Sequence, residues 1–303
     1  MNMKNINNIM DKADEIELTH SFQNACSDKE FYDYVFSLDI QEETLKKYTS
    51  RLEDSFIEYK NCKNCPGLSE CENKVSGYKY TPEKDHNLIN FSYIACQKLE
   101  KKIHDTAYQS NIEVFEMPKD IKEATLKNLY KDDKARLPVI KYFKEFIDNY
   151  SNSEKPKGLY LTGSFGSGKT YLVAALFNEM AKKGVKSALI YYPEFLRSLK
   201  SSFQSNYNEK FDYIKKAPLL LLDDIGAENC SAWSRDEVLG PILQYRMESH
   251  LPTFFTSNLT IDELETALAI TSSPADKVKA RRIIERIKQL TITIELISKN
   301  RRQ

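Results

Sequence analysis

From Gly158 onward, short apolar runs alternate with longer stretches whose apolar residues return every three or four positions. The runs at 158–162, 187–192, 219–222, 252–256 and 291–296 predict five β-strands. The stretches at 169–183, 195–217, 236–250, 261–268 and 276–290 predict helices, the second with a polar break around Ser205 and Asn206. Strands that alternate with helices imply a parallel sheet covered on both faces.

The rhythm before Gly158 is different. From about position 11 to 59, apolar residues recur at helical spacing, as in Phe31, Tyr34 and Phe36, then Leu45, Tyr48 and Leu52. These predict short amphipathic helices, whose ordinary use is packing and whose rarer use is a partner-binding face. A cysteine-bearing stretch at 62–96 follows, and a mixed segment to Ser110 closes a first domain. Glu116-Met117-Pro118 resets the pattern before predicted helices at 120–130 and 137–150, and 151–156 is a turn-rich connector.

One segment carries specific chemistry. Gly163-Ser164-Phe165-Gly166-Ser167-Gly168-Lys169-Thr170 meets the G-x-x-x-x-G-K-[ST] pattern, with a predicted strand before it and a helix after it. Glycines let the backbone curl so that successive N–H groups point at phosphate oxygens, and the helix adds its positive end. Lys169 is placed to reach the β- and γ-phosphates of ATP, Thr170 to ligate Mg²⁺, and Tyr171 to complete the cradle. The chain has only nine glycines, so a chance match in this context is remote. Downstream, four leucines at 219–222 run into Asp223 and Asp224. On the edge of a buried strand, Asp223 suits the Mg²⁺ hydration shell and Asp224 suits polarisation of the attacking water. Asn258, at the end of the fourth predicted strand, would orient that water or contact the γ-phosphate; its plainer reading is a helix cap. Arg282 and Arg286, four apart on the helix before the last strand, could reach a neighbouring subunit's γ-phosphate, although a charge run is ordinarily a solvated face.

Cys62-x-x-Cys65 has zinc-knuckle spacing, and Cys71, His86 and Cys96 follow, so four of these five are candidate zinc ligands. The plain alternative is reduced cysteines that bind nothing. Cys26 and Cys230 read as packing residues. Aromatics and lysines interleave between the second and third strands: Tyr192, Phe195, Lys200, Phe203, Tyr207, Lys210, Phe211, Tyr213 and Lys215. Single-stranded DNA binds platforms of this composition, although most rings at helical spacing are core. Lys+Arg and Asp+Glu balance at 44 each, so no global field draws the chain to nucleic acid or membrane. No run approaches the ~18 apolar residues of a membrane span, and residues 1–14 lack a signal-peptide core, so a cytoplasmic protein is expected.

The stretch from Gly158 resembles the AAA+ ATPase core and, more narrowly, the bacterial replicative-helicase loaders of the DnaI and DnaC type. The residues that carry this are 163–170, Leu221-Leu-Asp-Asp-Ile-Gly-Ala-Glu228, Trp233-Ser-Arg-Asp-Glu-Val238, Leu251-Pro-Thr-Phe-Phe-Thr-Ser-Asn258 and Arg281-Arg-Ile-Ile-Glu-Arg-Ile287. The resemblance implies that Lys169 is the Walker A lysine, Asp223 and Asp224 the Walker B pair, Asn258 sensor 1, and Arg286 the arginine finger, with Arg282 and Arg301 secondary. It implies the cofactors ATP or ADP, Mg²⁺ and Zn²⁺. It also implies a zinc domain that grips a hexameric replicative helicase, with single-stranded DNA, other primosome proteins and further copies bound in ATP as partners. Asp224 stands where the AAA+ pattern usually has Glu. The expected fold is therefore α/β: an AAA+ P-loop core with a five-stranded parallel sheet flanked by helices and no C-terminal lid, at 158–303. A small, mostly helical zinc-binding domain precedes it at 1–110, with a linker and leading helices at 111–157. A transposition helper that binds duplex DNA shares much of the core and is the competing expectation; a metabolic P-loop kinase lacks an acceptor-binding segment.

Overall fold

A computed structural model describes residues 15–86, 88–128, 134–151, 155–201, 207–271 and 273–300. The chain divides into two compact units, Met1–Ala107 and Tyr108–Gln303.

In the first unit, helices Lys29–Phe36, Glu42–Lys46 and Thr49–Lys63 enclose a core of Phe22, Phe31, Val35, Leu45, Leu52, Phe56 and Ile89. Asp28 starts the first of these by accepting the amides of Glu30 and Phe31, a side-chain N-cap. Phe31, Leu45 and Leu52 thus face inward as their spacing predicts, whereas Phe36 is exposed. The unit also contains an antiparallel hairpin, β1 (Tyr78–Asp85) and β2 (Leu88–Ala95), which the helical expectation missed. Only Pro82 and Ile89 of its sixteen residues are buried, and Leu88, Tyr93 and Ile94 are exposed, so no clean inside–outside alternation marks the strands. Buried Glu58 joins helix to hairpin by accepting the amides of Lys74 at 3.2 Å and Tyr80 at 2.6 Å.

The second unit is built on a parallel sheet of six strands rather than five, in the order β3-β5-β6-β7-β4-β8. These are β3 (Ile112–Phe115), β4 (Gly158–Gly163), β5 (Ser187–Tyr191), β6 (Leu219–Asp223), β7 (Thr253–Ser257) and β8 (Thr291–Leu296). The additional strand, β3, pairs with β5 at the sheet edge; it is four residues long and only Ile112 is fully buried, so it leaves no apolar run. The central strands are buried on both sides. Tyr160, Leu220, Leu222 and Phe255 face one core, while Leu159, Leu161, Leu219, Leu221 and Phe254 face the other, the two-residue period of a strand.

Three helical expectations change. Residues 120–130 form short 3₁₀ turns, Lys119–Glu123 and Leu126–Asn128, with 129 and 130 outside the described residues. Side chains of the neighbouring helix satisfy this backbone directly: Asn178 donates to Ala124 O at 2.8 Å, and Tyr171 Oη accepts from the Thr125 amide at 3.2 Å. The 195–217 stretch is two helices, Tyr192–Ser201 and Tyr207–Lys216, with the polar break at 202–206 outside the described residues. The helix expected at 236–250 begins as a π-helix, Trp233–Leu239, and continues as Gly240–Glu248. Buried Arg235 lies in the wide turn, paired with Asp236 and Asp276 at 2.7 Å each. No helix among the described residues is long and apolar enough to cross a membrane.

Candidate functional site

The sheet order explains the main site. β4 lies beside β7 and β7 beside β6, so the loop after β4, the two acids at the end of β6 and the polar end of β7 converge at one edge. Gly166 and Gly168 take φ of 70° and 86°, the left-handed backbone that a side chain resists, which wraps the loop onto helix Lys169–Lys182.

The converging side chains form one hydrogen-bonded chain. Lys169 Nζ donates to Gly163 O at 2.8 Å, Ser164 O at 2.9 Å and Asn258 Oδ1 at 2.8 Å. Asn258 Nδ2 donates to Asp224 Oδ1 at 3.0 Å. Thr170 Oγ1 donates to Asp223 Oδ1 at 2.6 Å, and Thr256 Oγ1 donates to the same oxygen at 2.5 Å. Burial pushes the Asp223 acid upward, and nearby Asp224 adds to that against the pull of the two hydroxyls. A buried carboxylate beside a threonine hydroxyl is a hard oxygen donor set, and it fits Mg²⁺. Lys169, Thr170, Asp223, Asp224 and Asn258 are thus brought together. Asn258 does not cap the helix that follows; Thr260 does, in a capping box with Glu263.

A cleft of about 1050 Å³ opens over this chain. Besides 165–171 and the acids, Glu116, Met117, Pro118, Ile121, Arg136, Tyr191 and Thr256 line it. Sequence reading assigned none of the first six to the site, and placed Thr256 only within the polar strand end that carries Asn258. Met117, Pro118 and Ile121 add an apolar wall of the kind that accepts a flat ring. Arg136 is buried, and its guanidinium donates to Ser167 O at 2.7 Å behind the loop. Phe165 projects from the rim, 72% exposed.

Other expected site residues lie elsewhere. Arg286 is half-buried and donates to Gly240 O at 3.2 Å in its own chain, while Arg282 is exposed and Arg301 and Arg302 lie outside the described residues. Within the aromatic–lysine set, Tyr192 and Phe195 are core residues and cannot stack on bases. Lys200 sits over Trp233 and Lys215 over Phe211 and Tyr245; Phe203 and the side chain of Tyr207 lie outside the described residues.

In the first unit, Cys62, Cys65 and Cys71 line one cavity of about 490 Å³. Asn73 Nδ2 donates to Cys62 Sγ at 3.3 Å, and the Gly77 amide to Cys71 Sγ at 3.4 Å. That backbone hydrogen bond from Gly77 is the main cause that lowers the Cys71 thiol below its ordinary range. The Cys96 amide donates to Gly77 O at 2.8 Å, which ties the fourth cysteine to the same end of the hairpin. Thiols that already accept N–H donors have the chemistry of a zinc set. Even so, among the described residues no three His, Cys, Asp or Glu stand close enough to hold an ion. His86 is not with the cysteines: it lies in the hairpin turn at the far end of eight-residue strands, ~23 Å away at the usual rise per residue.

Comparison with known proteins supports both units. Residues 135–296 match the family model of the IstB-like ATP binding protein. The replicative helicase loader DnaI of Bacillus subtilis (strain 168) is 37% identical over 265 residues, which cover 87% of this chain and 85% of that protein. A span of that length necessarily takes in more than half of the first unit. A crystal structure of DnaI matches 64% of this chain and 99% of its own at 49% identity and a TM-score of 0.58. A putative primosome component from Streptococcus pyogenes serotype M3 matches 65% of this chain and 98% of its own at 35% identity and a TM-score of 0.56. The chain belongs to the family of IstB-like ATP-binding proteins and, by its likeness along most of its length, to that of the replicative helicase loader DnaI.

Proposed function

We propose that this chain is an ATP-controlled loader that delivers the hexameric replicative helicase onto single-stranded DNA during replication initiation. The observation that carries this reading is the likeness to DnaI, which takes in more than half of the first unit as well as the ATP-binding core. A transposition helper would be expected to share the core alone. In the same reading the protein works in the cytoplasm, alongside other primosome proteins.

The side-chain chain in the cleft suits a switch. Lys169 Nζ is engaged by Gly163, Ser164 and Asn258, so turning toward the β- and γ-phosphates means giving up one of these, and in this reading it is the side chain of Asn258. Asn258 keeps Asp224, the group placed to orient the attacking water, so phosphate binding is sensed beside the acid. Mg²⁺ held by Thr170 and Asp223 would supply charge neutralisation at the β- and γ-oxygens. The loop 163–171 would bind ATP or ADP through its amides, with Met117, Pro118 and Ile121 against the base. Aspartate at 224 is shorter than the usual glutamate, which favours slow turnover. Copies associate in ATP, with Arg286 leaving Gly240 O to act on a neighbour's γ-phosphate.

Cys62, Cys65, Cys71 and Cys96 hold structural Zn²⁺ in this reading, which would fold the loop against the hairpin. Metal analysis after thiol release tests it, and a chain purified without zinc would overturn it. The loader reading is tested by light scattering on the chain mixed with its host's helicase, with and without ATP, alongside Lys169→Ala. Co-elution at several chains per hexamer, with the ATP effect lost in Lys169→Ala, is the expected result. Separate elution in every nucleotide state would sink the loader reading and favour the transposition helper.

A further inference from the structure

Thr256 stands outside every role assigned above, yet its hydroxyl touches both acids. It is 1% exposed, on the end of β7 facing β6. Its Oγ1 donates to Asp223 Oδ1 at 2.5 Å and accepts the Asp224 amide at 2.9 Å. The polarity is forced, because an amide can only donate, which leaves the single hydroxyl proton for the carboxylate. Asp224 has φ 57°, a left-handed backbone that a non-glycine residue keeps where its neighbours hold it. β7 imposes it here. Besides the hydroxyl bond, Thr256 O accepts the Ile225 amide at 3.0 Å, and Ser257 Oγ donates to Ile225 O at 2.6 Å.

We propose that Thr256 is the positioning residue of the ATP site, setting the geometry of Asp223 as the metal-holding carboxylate and of Asp224 as the water-orienting one. Its hydroxyl is spent on the two acids, so it acts through them. Were Thr170 Oγ1 to hold a metal instead of donating to Asp223, Thr256 would be the donor left on Oδ1, which would keep the carboxylate oriented. The inference rests on the ATP-hydrolysis reading above.

The test compares Thr256→Val, which keeps the shape and removes the hydroxyl, with Thr256→Ser, which keeps the hydroxyl. The readouts are binding of a fluorescent ATP analogue across a Mg²⁺ titration, steady-state ATP hydrolysis, and the melting temperature. Loss of a partner that orients a metal ligand costs roughly 10–100-fold. Thr256→Val should therefore raise the Mg²⁺ needed for half-maximal binding, and lower kcat, by about that range, with Mg²⁺-free nucleotide affinity unchanged. Thr256→Ser should restore both to near wild type. A folded Thr256→Val with wild-type Mg²⁺ dependence and kcat would overturn the proposal. So would a folded Thr256→Ser as impaired as the valine variant, because packing of the methyl would then be the cause. Should Thr256→Val not fold, the serine variant and Thr256→Ala carry the same comparison. Wild-type protein that neither binds nor hydrolyses ATP would instead refute the functional reading itself.

Discussion

Replacing Asp223 by asparagine should stabilise the nucleotide-free fold while removing its response to Mg²⁺-ATP. Asp223 is buried, and its Oδ1 accepts hydroxyls from Thr170 and Thr256. Asparagine offers an oxygen in the same place, so both bonds survive as neutral ones, weaker by about 1 kcal/mol each. Against that, burying a carboxylate without a paired cation costs several kcal/mol. Burial prevails over the hydroxyls in Asp223, whose acid is pushed upward. A net gain of about 2 kcal/mol follows, or ~4–8 °C in Tm for a unit of this size. The pH dependence has a definite sign. An acid raised in the folded state contributes stability that is full below the unfolded value of ~4 and is lost as pH rises through the folded one. The advantage of Asp223→Asn should therefore be widest near neutrality and close toward pH ~4. Thermal melting between pH 4 and 8, first without nucleotide and then with Mg²⁺-ATP, reads both effects. A variant that melts below wild type at neutral pH, or that gains as much from Mg²⁺-ATP, would refute the assignment of Asp223 as a strained, metal-ready carboxylate.

Asn258→Ala breaks the link between Lys169 and Asp224 and should lower kcat roughly 10–100-fold with nucleotide affinity nearly kept; equal loss of both would make Asn258 a binding residue only. Arg246 is fully buried and donates to Ala217 O, Pro252 O and Thr253 Oγ1, so Arg246→Met should cost about 3 kcal/mol by leaving these acceptors bare, seen as a Tm drop of ~6–12 °C. Arg235, and to a lesser degree Lys279, holds the Asp236 carboxyl down to about 2. A depressed acid stabilises above its unfolded value, so Asp236→Asn should cost about 1–2 kcal/mol at neutral pH in denaturant titrations, and the gap should shrink as pH falls from ~4 toward 2. His86→Ala should leave zinc content unchanged and Cys71→Ser should abolish it; the opposite pattern would return His86 to the ligand set.

The elements that the sequence makes plain are those with a strong local signature. Leucines 219–222, a short apolar run ending in two acids some fifty residues after the glycine-rich loop, read as a buried strand, and Gly163–Thr170 imposes its own backbone, so the sheet centre and the phosphate loop are legible from the residues alone. Residues whose role depends on distant neighbours are not. Met117 reaches the cleft because its segment packs against helix Lys169–Lys182, and Arg136 through its bond to Ser167 O; no motif marks either of them. β3 is hidden because an edge strand of four residues carries Glu113 in its middle. The hairpin is hidden because Tyr80, Phe91 and Tyr93 pair ring to ring across the strands without a buried face to set an alternating pattern. Asn258 is legible by position, but its double engagement with Lys169 and Asp224 follows from strand order, which spacing does not encode.

The placement of β4 bears on how the second unit folds. The phosphate-loop strand precedes β5, β6, β7 and β8 in sequence, yet its two partners are β7 and β8, the last of the four. Its six-residue register with β8, Gly158 to Thr291 through Gly163 to Leu296, closes a loop of more than a hundred residues. Such closure is entropically costly, and folds that depend on it are slow. Until it occurs, β4 is an apolar strand with an open edge, the kind of surface on which folding intermediates aggregate. Gly163 is also where β8 finishes the loop, because a side chain there would strike Leu296 O. The nucleotide cradle is thus completed together with the sheet. A nucleotide that binds only the completed site would therefore draw the equilibrium toward the closed sheet.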